Sequence, residues 1–115
     1  MEATLNADYL NALPDAEHAV ALAPDNVHIL DTRGQVYFSL GRFDEAFVDL
    51  DRSIALGANF VAVFFSRGQI YERRGMKDLA IADYSRALEL EPDGDIEKHA
   101  REKARERLKA LGATP

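Results

Sequence analysis

Residues 27–60 laid over residues 61–94 without a gap agree at 11 of 34 positions, and this duplication constrains the fold more than any other feature. The identical pairs are Val27/Val61, Arg33/Arg67, Gly34/Gly68, Gln35/Gln69, Tyr37/Tyr71, Gly41/Gly75, Asp44/Asp78, Ala46/Ala80, Asp49/Asp83, Arg52/Arg86 and Leu56/Leu90. Conservative pairs such as Val36/Ile70 and Ile54/Leu88 add to them. A period of this length marks a stack of supersecondary units, each too small to bury its own apolar face.

Each unit reads as two helices. Leu30, Gly34 and Tyr37 in the first, and Phe64, Gly68 and Tyr71 in the second, recur at helical spacing and predict helices over 27–40 and 61–74. Gly41 and Gly75 stand where a helix ends on a left-handed residue. Asp44 and Asp78 are N-cap candidates for second helices at about 44–56 and 78–90, with Phe43 and Val48 placed to form a hydrophobic staple. Phe47, Leu50 and Ile54 share one face of the first of these, and Ala80, Tyr84 and Leu88 share one face of the second. A glycine inside a helix costs roughly 1 kcal/mol relative to alanine, so Gly34 and Gly68 need a compensation. Close helix approach supplies it, with Ala46 and Ser53 expected against Gly34, and Ala80 and Ala87 against Gly68.

This pattern resembles the tetratricopeptide repeat family: a large residue, then Leu-Gly, Tyr three after the Gly, then Ala, an aromatic and Pro at fixed offsets. It stands here as Leu30, Gly34, Tyr37, Ala46, Leu50, and again as Phe64, Gly68, Tyr71, Ala80, Tyr84, Pro92. The departures are the missing tryptophan, Arg33 and Arg67 in place of the leucine before Gly, and Ala58 in place of Pro. The resemblance implies an all-α, right-handed superhelical array of antiparallel helix pairs. Carried outward, the period aligns 16–26 with 85–95, which makes residues 1–26 a partial repeat ahead of repeats 27–60 and 61–94. Either the chain begins in mid-repeat or residues 2–12 improvise the missing helix, with a break or kink expected at Pro14. Residues 95–111 lack the Gly and Tyr of a new unit. Their narrow stripe of Ile96, Ala100, Ala104, Leu108 and Leu111 predicts a C-terminal capping helix.

Composition excludes several functions. The absence of cysteine removes disulfides, thiolate metal sites and thiol nucleophiles, and agrees with a cytoplasmic protein. His18, His28 and His99 are dispersed, with no metal-ligand spacing, phosphate loop or nucleophile elbow nearby, so neither an enzyme nor a metal or cofactor is expected. The net charge of -6 argues against a nucleic-acid partner. No apolar run approaches a membrane span and the N-terminus lacks a signal-peptide layout, so no membrane partner is expected. Residues 95–115 are the basic part, with 6 Lys and Arg against 4 acids. There Glu97 with Arg101 and Glu102 with Arg105 are spaced to pair along one helix.

In the family this chain resembles, the first helix of each unit lines a concave groove that holds a segment of another protein. With the packing stripe occupied by Gly34 and Tyr37, the groove stripe becomes Asp31, Gln35, Phe38 and Ser39, then Phe65, Gln69, Glu72 and Arg73, with His99 and Lys103 from the cap. Phe38 and Phe65 are aromatics beyond those the packing stripe uses, which suits a docking surface, although either could instead pack on a neighbouring helix. Some members clamp a peptide's terminal carboxylate with Lys and Asn on these stripes. Asp31 stands where the first lysine belongs, so an Hsp70- or Hsp90-type tail is not the expected ligand. The rival expectation is self-association: Leu10, Leu13, Val20 and Leu22 of the incomplete repeat form an apolar face that a second copy could cover, making a homodimer.

Overall fold

The computed structural model describes residues 2–113, with side chains from residue 8 onward, as six helices. They fall into two compact units, Met1–Ala58 and Asn59–Pro115. No strand occurs among the described residues.

The first unit contains α1 (Glu2–Leu22), α2 (Val27–Ser39) and α3 (Phe43–Ala55). Asn26 starts α2 by accepting the backbone N–H groups of His28 and Ile29 at 3.0 and 3.1 Å. Gly41, at φ +77°, ends it in a Schellman turn: the N–H of Arg42 donates to the carbonyl of Tyr37 at 2.9 Å, and that of Gly41 to Phe38 at 3.0 Å. The same two bonds recur at Gly75, from Met76 to Tyr71 at 2.9 Å and from Gly75 to Glu72 at 3.0 Å. These turns displace the expected caps. Arg42 closes one helix and its carbonyl already accepts from Ala46 at 3.0 Å, so α3 begins at Phe43 and Asp44 lies inside its first turn. Asp78 sits likewise inside α5 (Lys77–Glu89), behind Met76. Both carboxylates still favour the positive end of the helix dipole. The staple does not form, because Phe43 is helical and Val48 is exposed.

The glycines mark close approach, although the partners differ from those expected. A Cβ at Gly34 would meet Leu50 Cδ2 at 2.9 Å and Asp49 Cβ at 3.4 Å, and one at Gly68 would meet Tyr84 Cε1 at 2.9 Å and Asp83 Cβ at 3.3 Å. The second helix therefore presses its larger residue onto the glycine, while Ala46, Ser53, Ala80 and Ala87 are buried to either side. The core faces of the second helices are accordingly Ala46, Asp49, Leu50, Ser53 and Ala80, Asp83, Tyr84, Ala87. Phe47, Ile54 and Leu88 stand at their half-buried margins.

Pro14 does not interrupt α1, which runs unbroken from residue 2 to residue 22. The proline is exposed, as is Leu10, whose carbonyl loses its helical partner there and can take water instead. No separate helix over residues 2–12 replaces the first helix of that unit. Leu13 and Ala16 are buried, whereas Leu10 and Leu22 are exposed.

The second unit contains α4 (Val61–Arg73), α5 and α6 (Gly94–Ala110). Ala100, Ala104 and Leu108 of α6 are buried as the stripe requires, but Ile96 is 84% exposed and takes no part. Glu97 is not paired with Arg101. Its carboxylate accepts the backbone N–H groups of Asp93 at 2.8 Å and Ala62 at 2.9 Å, so it closes the start of α6 and ties it to α4. Arg101 turns to the Leu88 carbonyl, 3.1 Å away. Glu102 and Arg105 do approach, at 3.8 Å.

Candidate functional site

Both units are built around the same ion pair. The Arg33 guanidinium donates from Nε and Nη2 to the two oxygens of Asp49 at 2.7 and 2.8 Å; Arg67 does so to Asp83 at the same distances. The carboxylates are almost fully buried, with Asp49 at 2% and Asp83 at 5% exposure. Each guanidinium also lies over the tyrosine one turn on, 5.7 Å from the Tyr37 ring and 5.5 Å from the Tyr71 ring. Hydrogen bonding to Asp49 is the main reason the Arg33 pKa is raised, and burial raises that of Tyr37. The arginines that depart from the family's leucine therefore fix the crossing of the two helices. A second repeated tie runs from Arg52 to Asp25 and from Arg86 to Asn59.

This clasp orients the outward stripe of each first helix. In the first unit Gln35 donates from Nε2 to Asp31 Oδ1 at 3.1 Å, both side chains half-buried. Phe38 is half-buried and meets Phe43 edge-on, with ring centroids 5.2 Å apart and planes at 74°. Ser39 is exposed. A carboxylate, an amide and an aromatic thus lie on successive turns of one face.

In the second unit Phe65 is half-buried with its ring 5.9 Å from that of Tyr84, and Gln69 is half-buried one turn further. Glu72 faces α6: it accepts the Tyr84 hydroxyl at 2.8 Å and both nitrogens of a forked Arg107 guanidinium. Those bonds, with Arg107 first, hold the Glu72 pKa below the usual carboxylate range; burial, then the bond to Glu72, pushes that of Tyr84 up. Glu72 is thus committed to anchoring the capping helix. Arg73, His99 and Lys103 are exposed. Among the described residues no group of three or more His, Cys, Asp or Glu side chains could hold a metal ion. No helix among them is long and apolar enough to cross a membrane.

Two family models, each describing a tetratricopeptide repeat, match residues 27–58 and 61–93, together more than half of the chain. The chain belongs to the tetratricopeptide repeat family. Its helix array resembles the tetratricopeptide domain of Arabidopsis OM64, at 24% identity over 88% of this chain and 84% of that one, with a TM-score of 0.70. The Sgt2 tetratricopeptide domain from Aspergillus fumigatus matches at 18% identity over 96% and 74%, with a TM-score of 0.71. The first tetratricopeptide domain of Spaghetti (RPAP3), bound to the HSP90 peptide SRMEEVD, matches at 25% identity over 90% and 82%, with a TM-score of 0.69. No curated protein matches the sequence.

Proposed function

We propose that this chain is a protein–protein interaction module, with a scaffold or adaptor role, that holds a peptide or helix of a partner against the outward stripes of its first helices. Asp31, Gln35 and Phe38 form the contact surface of the first unit. Phe65, Gln69 and Arg73 form that of the second, with His99 and Lys103 from the cap. The observation that carries this reading is the repeated glutamine: Gln35 and Gln69 occupy the same position 34 residues apart on helices held by identical Arg–Asp clasps, with Phe38 one turn after the first and Phe65 one turn before the second. An amide can both donate to and accept from a peptide backbone, and a half-buried aromatic offers apolar area at small entropic cost. The likeness to a repeat domain that binds an HSP90 peptide supports a ligand of peptide size. Asp31 would repel an acidic tail, so the ligand is expected to be mixed polar and apolar, not acidic.

Selection from a displayed peptide library, followed by affinity measurement on Phe38→Ala, Gln69→Ala and Lys103→Glu, tests this. Each variant should keep the helical melting transition and lose about tenfold or more in affinity, the range of a modest hot spot. Unchanged affinity in all three, with the fold intact, would contradict the proposal.

A second reading, self-association through α1, is favoured by the exposure of Leu10 and by Leu22, which is 74% exposed. It predicts a molar mass that falls on dilution and a monomer after Leu22→Glu. A monomer at every concentration would remove it.

A further inference from the structure

The turns inside the two complete repeats share a backbone but present opposite surfaces. Both are closed by the same pair of bonds at 2.9 and 3.0 Å, with Asp44 or Asp78 following at the same place. The first turn covers itself. The Arg42 guanidinium forks onto Glu45 at 2.7 and 2.6 Å and lies 4.8 Å from the centre of the Tyr37 ring, which is 7% exposed. Phe43 meets Phe38 edge-on. In the second turn each residue of that cover is exchanged: Met76 replaces Arg42, Lys77 replaces Phe43 and Leu79 replaces Glu45. Met76 and Leu79 are 46% and 47% exposed, and Tyr71 is half-buried where Tyr37 is buried. The charge reverses as well. Residues 39–45 hold one cation and two acids, whereas residues 73–79 hold three cations and one acid. Arg73, Arg74 and Lys77 are all exposed. Helix stability does not explain this exchange. Lys77 opens α5, the end at which the helix dipole disfavours a cation, and Leu79 stands where the dipole would favour the acid that α3 carries.

We infer that the turn between α4 and α5 is a docking surface for an acidic, amphipathic segment of a partner protein. Charge complementarity identifies the occupant. Its carboxylates face Arg74 and Lys77, and its apolar side chains cover Met76 and Leu79, which lie three positions apart at the opening of α5. The partner thus supplies from outside what the first turn supplies from within: a carboxylate for the basic group, and cover for the tyrosine end of the helix pair. A nucleic acid has no apolar side chain to offer Met76 and Leu79. The chain's net charge of -6 also opposes approach to a long polyanion or an anionic bilayer, and opposes a short acidic segment less. None of Arg74, Met76, Lys77 and Leu79 belongs to the stripes of the first helices, so the surface can exist without the groove and the groove without the surface.

The probe is a fluorescein-labelled EELLEELLEE peptide with both ends blocked, titrated against the full chain by fluorescence anisotropy. The blocked ends leave no terminal carboxylate, so binding reports recognition of side chains. Saturable binding is expected, weakened about tenfold or more when every Glu of the peptide is exchanged for Gln. Lys77→Glu in the protein should weaken it by a similar factor without lowering the melting temperature, because an acid suits the start of α5. Met76→Arg/Leu79→Glu rebuilds the cover of the first turn on the second, and should cost about tenfold in affinity while the chain melts as the parent does. Lys98→Glu, the same charge change at an exposed site near the start of α6, should leave binding unchanged. The inference is overturned by an absence of saturable binding, by equal affinity for the glutamine peptide, or by full affinity in both turn variants. An equal loss in Lys98→Glu would also overturn it, by reducing the effect to net charge. So would a loss of binding in Gln69→Ala with none in Lys77→Glu, which would put the acidic peptide in the groove. Phosphatidylserine vesicles that sediment the chain through Lys77, with no binding of the peptide, would assign the turn to a membrane surface and overturn it too.

Discussion

Removing the arginine of a clasp should cost more than removing its aspartate, and the second unit makes the comparison sharp. The Asp83 side chain is 7% exposed and that of Arg67 is 16% exposed. In Arg67→Met the carboxylate stays buried and loses both nitrogens, 2.7 and 2.8 Å away. Breaking a buried pair in this way costs roughly 3–5 kcal/mol, and the partial exposure of Arg67 places this case at about 3 kcal/mol. In Asp83→Asn the guanidinium keeps one acceptor and can turn its free edge to water, so about 1–2 kcal/mol is expected. Urea unfolding followed by circular dichroism reads the difference. With a slope of roughly 1.5 kcal/mol per M, the midpoint should fall by about 2 M for the arginine variant and by about 1 M for the asparagine variant. The double variant Arg67→Met/Asp83→Leu should be milder than the sum of its parts by about 2 kcal/mol, because no charge is left stranded. An arginine variant no more destabilised than Asp83→Asn, or a strictly additive double variant, would refute the claim that the clasp holds the helix pair together.

The two glycines should respond unequally to alanine. Tyr84 is fully buried with its hydroxyl held by Glu72, so Gly68→Ala should destabilise by about 1–2 kcal/mol despite its better helix propensity. Gly34→Ala meets the branched end of Leu50 and should cost less, within about 1 kcal/mol; melting curves compare the two. Gly75 at φ +75° has no such contact, and alanine there should cost about 1 kcal/mol from backbone strain alone, also read by melting. The Glu72 pKa is depressed in the folded state, so its contribution is present above the unfolded carboxylate pKa and is lost as the pH falls through the folded value. Stability measured from neutral pH downward should therefore fall in the acid range, and Arg107→Gln should flatten that fall.

Period and small-residue positions carried most of the fold, because a helix pair repeated in register leaves its packing code at fixed offsets. The spans of α2 to α6 differ from expectation by no more than a residue at either end, and Gly41 and Gly75 are left-handed as the pattern requires. The caps were misread because the Schellman turn leaves no space between helices: Arg42 and Met76 close one helix and open the next. The clasp was visible as the identities Arg33/Arg67 and Asp49/Asp83, but nothing in a linear pattern says that positions 16 apart face each other. The same holds for Glu72 and Arg107, 35 apart, whose pairing depends on how α6 lies against α4. Pro14 was expected to break or kink α1 on the strength of its missing N–H, and the helix is not broken there. Exposure decides that question, because a carbonyl facing water loses less than one in the core.

The most direct test of the interaction-module account is chemical-shift mapping of an isotope-labelled chain with the tightest peptide selected from the library. The account predicts that the perturbed amides and side chains cluster at Asp31, Gln35, Phe38, Phe65, Gln69, Arg73, His99 and Lys103. Perturbations confined to the exposed residues of α3 and α5, such as Val48 and Leu79, would place binding on the second helices and contradict it.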